Sequence, residues 1–179
     1  VEFQKRMERA DGVRIRLSSN GHAYESFYDL RFRPAHASGG LMREPGVVGN
    51  LPSGEAYITP YEGEKMDEPS RTHGMLPVQF DDEIVVYRIE NNRAIQVVSK
   101  GKHSENEAGK IAREPAYGNI AEVGIGVLGE WGIKAVGSTL LDEKLGLHIA
   151  FGRSEHFGGV TSPASFSNLD NVVHIDRVY

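Results

Sequence analysis

Hydrophobic and polar residues alternate with a period of two along much of this chain. "GVRIRL" at 12–17 sets Val13, Ile15 and Leu17 against Arg14 and Arg16, the pattern of a strand with one buried face. "YDLRFR" at 28–33 alternates similarly, and "EAYITP" at 55–60 and "EIVVYRIE" at 83–90 are rich in β-branched and aromatic residues. The Asn91-Asn92 pair predicts a hairpin from the last of these into "RAIQVV". Helical signals are fewer. Ser104 with Glu107 three residues on predicts a helix running to Pro115. "VEFQKRMERA" reads as the tail of a helix feeding the first strand, and "AVGSTLLDEKLG" at 135–146 as another short helix. The strands "LHIAFG" and "NVVHIDRVY" follow it. Strands dominate, so the pattern predicts an α+β fold, mainly β. Its sheet is expected to be mixed or antiparallel, or barrel-like, with two or three short helices in one domain over 1–179.

Composition narrows the chemistry more than the fold. The chain has 179 residues, a formal charge of −5 and no cysteine, so disulfides, iron–sulfur clusters and thiolate metal sites are excluded. Any metal must rest on histidine and carboxylate. No long basic stretch supports nucleic-acid binding. No apolar run approaches the roughly 20 residues of a membrane span, and the start lacks a signal-peptide layout. A soluble, cytoplasmic protein is expected, acting on a peptide or small molecule.

Several acids and imidazoles stand where such groups are costly. Glu122 lies inside the small, apolar run "GNIAEVGIGVLGE", where an unpaired carboxylate is expensive to bury, and no lysine or arginine is near it in sequence. His174 and Asp176 are two apart in the last strand and project from one face. His148, Ala150 and Gly152 share a face of the strand before it, which leaves room around the imidazole. Glu55 enters a strand after a Pro-Ser-Gly turn, and Glu143 closes a helix-like segment; either would be merely solvated if it stood alone. Imidazoles and carboxylates together suit zinc, cobalt, manganese or iron, and the surplus of ligands over one ion's needs fits two. His156, on a glycine-flanked loop, is a further candidate lining residue, whereas His22, His36, His73 and His103 are expected in exposed loops. Asn50 and Asn171 are of a type that shapes turns. "GEWGIKAVG" lacks the strand–loop–helix context of a dinucleotide site.

In this order, "NLPSGEAYITP", "IAEVGIGVLG", "LLDEKLGLHIAFG" and "HID" resemble the aminopeptidase T / aminopeptidase S family of two-metal exopeptidases. "ADGVRIRL" and "YDLRF" are similar to the strands leading into that family's metal-binding domain. The resemblance spans nearly the whole chain but only the second half of a full-length member. The chain, which starts at Val1 in mid-helix, is therefore expected to be the C-terminal part of something longer. The resemblance implies that Glu55, Glu122, His148, His174 and Asp176 hold two divalent ions, with Glu143 as a further ligand or proton shuttle. It also implies peptide substrates with a free N-terminus, and a homodimer. Glu155 falls where the family carries a tyrosine that stabilises the tetrahedral intermediate; an ionised glutamate would repel an oxyanion there. Ring-cleaving dioxygenases that open dihydroxypyridines look similar in the same superfamily, and His148, His174 and Asp176 alone would suit one iron(II). A domain without catalysis is the third reading.

Overall fold

The computed structural model describes residues 2–49 and 51–179, and Val1 and Asn50 lie outside these. Its elements in order are α1 (Glu2–Arg9), β1 (Gly12–Ser19), β2 (His22–Asp29), β3 (Ala35–Ser38), β4 (Glu55–Ile58), β5 (His73–Phe80), β6 (Glu83–Glu90) and β7 (Arg93–Val97). There follow α2 (Lys102–Arg113), β8 (Ile120–Gly126), α3 (Thr139–Asp142), β9 (Leu147–Gly152) and β10 (His174–Val178), with short 3-10 turns between. Every strand pairing is antiparallel. The strands form two open sheets of five, ordered β1-β2-β5-β6-β7 and β10-β9-β8-β4-β3. The α+β, mainly β expectation holds.

The alternation explains how the sheets meet. Tyr28, Leu76, Val85, Tyr87 and Ile89 from the first sheet share a buried cluster with Ile58, Val123, Ile149 and Phe151 from the second. Tyr87 and Phe151 meet edge to face across the gap, with centroids 5.0 Å apart. The second sheet's other face therefore carries the alternate residues: Glu55 and Tyr57, Glu122 and Gly124, His148 and Ala150, His174 and Asp176.

Some elements depart from expectation. The strand expected at 28–33 runs instead over His22–Asp29. It stops because the Asp29 carboxylate, fully buried, accepts from the Arg31 backbone N–H and guanidinium and from the Arg71 N–H, which turns the chain away. α2 starts two residues before Ser104; Glu83 of β6 accepts from the N–H groups of His103 and Ser104 (2.8 and 2.7 Å) and does the capping from outside. Glu107 is no cap partner. It is fully buried and accepts from the hydroxyls of Tyr87 and Tyr117. The segment 135–146 is helical only over Thr139–Asp142 and the turn Glu143–Leu145, because Asp142 accepts from the N–H groups of Val136 and Gly137 (both 2.9 Å) and folds the lead-in back. Asn171 donates to Glu114 (3.1 Å), a loop tie.

Candidate metal centre

The outer face of β4, β8, β9 and β10 gathers five of the residues singled out in the sequence. Glu55, Glu122 and His148 form one group whose potential ligand atoms all lie within 4.8 Å of one another, and Glu122, His174 and Asp176 form a second. Glu122 belongs to both. Its Oε1 lies 3.0 Å from His148 Nε2, and its Oε2 lies 3.3 Å from His174 Nε2. Glu55 Oε2 stands 3.6 Å from His148 Nε2, and Asp176 Oδ1 stands 3.9 Å from His174 Nε2. Metal–ligand bonds of about 2.0–2.2 Å place ligand atoms roughly 3–4 Å apart, so small side-chain adjustments would close either group on an ion.

Strand register and two glycines make this arrangement. His148 on β9 pairs with Gly124 on β8, and a Cβ at Gly124 would stand 2.0 Å from His148 Nε2. The imidazole lies over the bare backbone and reaches both Glu122 and Glu55. At Gly126 a Cβ would meet the Lys144 backbone at 2.1 Å, so the Glu143–Leu145 turn packs directly on β8. His174 Nδ1 donates to the Arg153 carbonyl oxygen (2.8 Å), which directs Nε2 at the carboxylates.

The electrostatics are those of a site short of positive charge. Burial alone would raise the Glu122 carboxyl, but hydrogen bonds from His148 and His174 outweigh it and hold it at about 2. Burial and then the Glu122 charge push Asp176 up to about 6. Both imidazoles are raised: burial opposes their charge, but Glu122 overcomes it. Burial raises Glu55 despite Lys144. Glu55 Oε2 is buried without a hydrogen-bond partner among the described residues, an acceptor that faces the cluster. Carboxylate and imidazole donors, a shared carboxylate and an orphaned acceptor fit divalent cations.

The remaining sequence candidates are placed as follows. Glu143 adjoins the cluster with one oxygen bound by Lys144. Glu155 lies outside both groups; its carboxylate takes two hydrogen bonds from Arg153 Nε, at 2.7 and 2.8 Å. His156 stands edge-on to His174, with centroids 4.9 Å apart. The four histidines expected in exposed loops instead sit on β2, β3, β5 and α2, and His36 and His103 are half-buried. Lys144 escaped sequence reasoning. It is 3% exposed and bridges Glu55 (2.5 Å) and Glu143; the only hint was its place in "DEK", where a lysine reads as solvated. Tyr57 also escaped. It shares a face with Glu55, and its phenol is raised by burial and by the charges of Glu122 and Glu55.

Fold and cluster together define a two-sheet domain with a carboxylate–imidazole centre suited to divalent cations. No family model matches the chain, and no curated protein matches it. Among solved structures, wild-type AmpT from Thermus thermophilus is similar with a TM-score of 0.63 and 17% identity, over 99% of this chain and 46% of that one. The 2,5-dihydroxypyridine dioxygenase from Pseudomonas putida KT2440 is similar with a TM-score of 0.67 and 17% identity, over 97% of this chain and 51% of that one. The chain thus spans about half the length of each. They share its fold. Among the described residues, no helix is long and apolar enough to cross a membrane.

Proposed function

We propose that this chain is the metal-binding domain of an aminopeptidase-type hydrolase, acting on peptides with a free N-terminus through two divalent ions such as zinc, cobalt or manganese. The observation that carries the reading is Glu122, one carboxylate shared between two ligand groups. A bridging carboxylate with a separate carboxylate and imidazole on either side is what a pair of ions requires. The likeness to AmpT agrees with it. Bound there, such ions polarise a carbonyl and lower the pKa of water. The protein's own part is to hold and move protons around them. Glu143, with one oxygen held by Lys144, takes a proton from water and returns it to the leaving amine. Lys144 holds Glu55 and Glu143 in place.

A second reading, an iron-dependent ring-cleaving dioxygenase on His148, His174 and Asp176, is favoured by the likeness to the dihydroxypyridine enzyme, at the same identity and a slightly higher TM-score. It ranks second because Glu55 and Glu122 also converge on that cluster. Metal analysis after reconstitution, with turnover of amino-acid p-nitroanilides and oxygen uptake on 2,5-dihydroxypyridine, separates the two. Two ions per chain and chelator-sensitive p-nitroaniline release are expected; one iron with oxygen uptake would overturn the hydrolase, and no metal would overturn both.

A further inference from the structure

β10 is an edge strand, and its free edge starts among the candidate ligands. Its ladder is with β9. At the two ends of that ladder the Arg153 N–H donates to the Val173 carbonyl oxygen (2.7 Å) and the Tyr179 N–H to that of Leu147 (2.9 Å). Bonded and unbonded pairs alternate in an antiparallel ladder, so Val173, Ile175, Arg177 and Tyr179 turn their backbone groups to β9. Those of His174, Asp176 and Val178 point the other way. Among the described residues they meet no hydrogen-bond partner.

An unpaired edge is a template for any extended chain, and proteins usually cover or charge it. This one opens on a groove of about 610 Å³. Asp176, Arg177, Val178 and Tyr179 all line it, and β9 contributes no residue among those described. Successive side chains point to opposite faces, so a groove that touches four in a row runs along the edge. Its far side is formed by Val78, Gln79 and Phe80 of β5 and by Ala135, Thr139 and Asp142. With a wall on each side, the groove admits one extended chain but not the edge of a second sheet. Asp176 belongs both to the groove and to the group it forms with Glu122 and His174, so a chain lying there leads to the cluster.

We propose that the main chain of a peptide substrate binds as an added strand on the free edge of β10. Its N-terminal residue sits at the cluster, and its next residues run past Asp176 and Val178. The outward N–H and C=O groups of those two residues supply the hydrogen bonds, whatever side chains the peptide carries. From Asp176 to Val178 is about 7 Å of strand, or two residues of peptide. The substrates are therefore peptides of three or more residues in preference to dipeptides. This deepens the hydrolase reading and rests on it.

The test uses the metal-loaded protein and a series of peptide amides. From leucyl-alanine amide to leucyl-trialanine amide, kcat/KM should rise by about tenfold or more. N-methylation at one of the last two alanines should remove that gain and at the other should spare it, because only alternate N–H groups of an added strand face its neighbour. Val178→Pro deletes one outward N–H at an edge where proline is tolerated, and should cut the longer peptide's advantage to below about threefold. A tetrapeptide with a reduced, uncleavable first bond should slow hydrogen exchange at the Asp176 and Val178 amides by about tenfold or more, and leave Arg177 unchanged. Equal kcat/KM along the series, with no added protection, would overturn the added strand and leave the hydrolase standing. Protection that appears without peptide and grows with protein concentration would give the edge to a second copy and overturn it as well. If no peptide is turned over but the reduced one still protects both amides, the strand stands and the hydrolase reading fails; with neither result, both fall.

Discussion

Gly124→Ala tests whether the candidate centre is built as its geometry implies. The added methyl would stand 2.0 Å from His148 Nε2, 2.2 Å from Cε1 and 2.8 Å from Cδ2, so no small adjustment accommodates it. The imidazole is hemmed in by Glu122 and Glu55 and only 1% exposed, and it has to be pushed off β8 altogether. Overpacking of this kind costs about 1–3 kcal/mol. For a chain of this size that is a fall of roughly 2–10 °C in thermal midpoint. A displacement of even about 1 Å breaks a bond that must be near 2.0 Å. The group of Glu55, Glu122 and His148 should therefore lose its ion, while Glu122, His174 and Asp176, which do not use His148, keep theirs. Metal analysis after dialysis against buffered zinc should find one ion per chain where the parent holds two, in a variant whose circular dichroism is unchanged. A variant that kept both ions at parental affinity would refute the idea that His148 is a ligand seated over a bare glycine.

Three other perturbations probe the same face. Glu122→Gln should abolish retention of both ions, and it should destabilise the metal-free protein by about 3 kcal/mol at neutral pH, the value of a carboxyl held near 2 rather than 4.5. Because the folded-state value is depressed, that stability is present above about 4.5 and is lost as pH falls toward 2, so urea midpoints of variant and parent should converge on acidification. Metal affinity should weaken as pH falls through neutrality and then through about 6, since His148, His174 and Asp176 all hold protons more tightly than usual and must release them to bind an ion; zinc titrations between pH 5 and 8, flat across about 6, would contradict this. Lys144→Met removes a buried ammonium from two partly buried carboxylates and should cost the metal-free protein about 3 kcal/mol in denaturant melts, with less than about 1 kcal/mol indicating that water already serves them.

What the sequence made legible was a matter of periodicity. Glu122, His148, His174 and Asp176 each sit in a run where every second residue is apolar, so the period alone assigns them to the face away from the core. It gives no pairing order, and only β4-β8-β9-β10 adjacency turns four separate polar positions into one cluster. The alternation in "EAYITP" was equally clear, yet a tyrosine between Ala56 and Ile58 reads as core unless its face is traced back to Glu55. β5 was not foreseen because Pro77 breaks the pattern of a central strand. In the fold β2 pairs with β5 only at His73 and Gly74, so Pro77 lies past that ladder on a side that needs no N–H donor.

The same reasoning explains why Lys144 matters to the choice between functions. Taken alone, a lysine on Glu55 offers that carboxylate a structural partner and weakens the case for a cation there. But the lysine reaches Oε1, while Oε2 remains buried, turned to His148 and unpartnered among the described residues. A purely structural ion pair would leave no reason to orphan that oxygen beside an imidazole, since leaving a buried acceptor unmet costs about 1–3 kcal/mol. Lys144 and an ion on Glu55 are thus complementary. The ammonium satisfies one oxygen and fixes the carboxylate's plane, and the other oxygen is presented, already desolvated, to whatever cation Glu122 and His148 share.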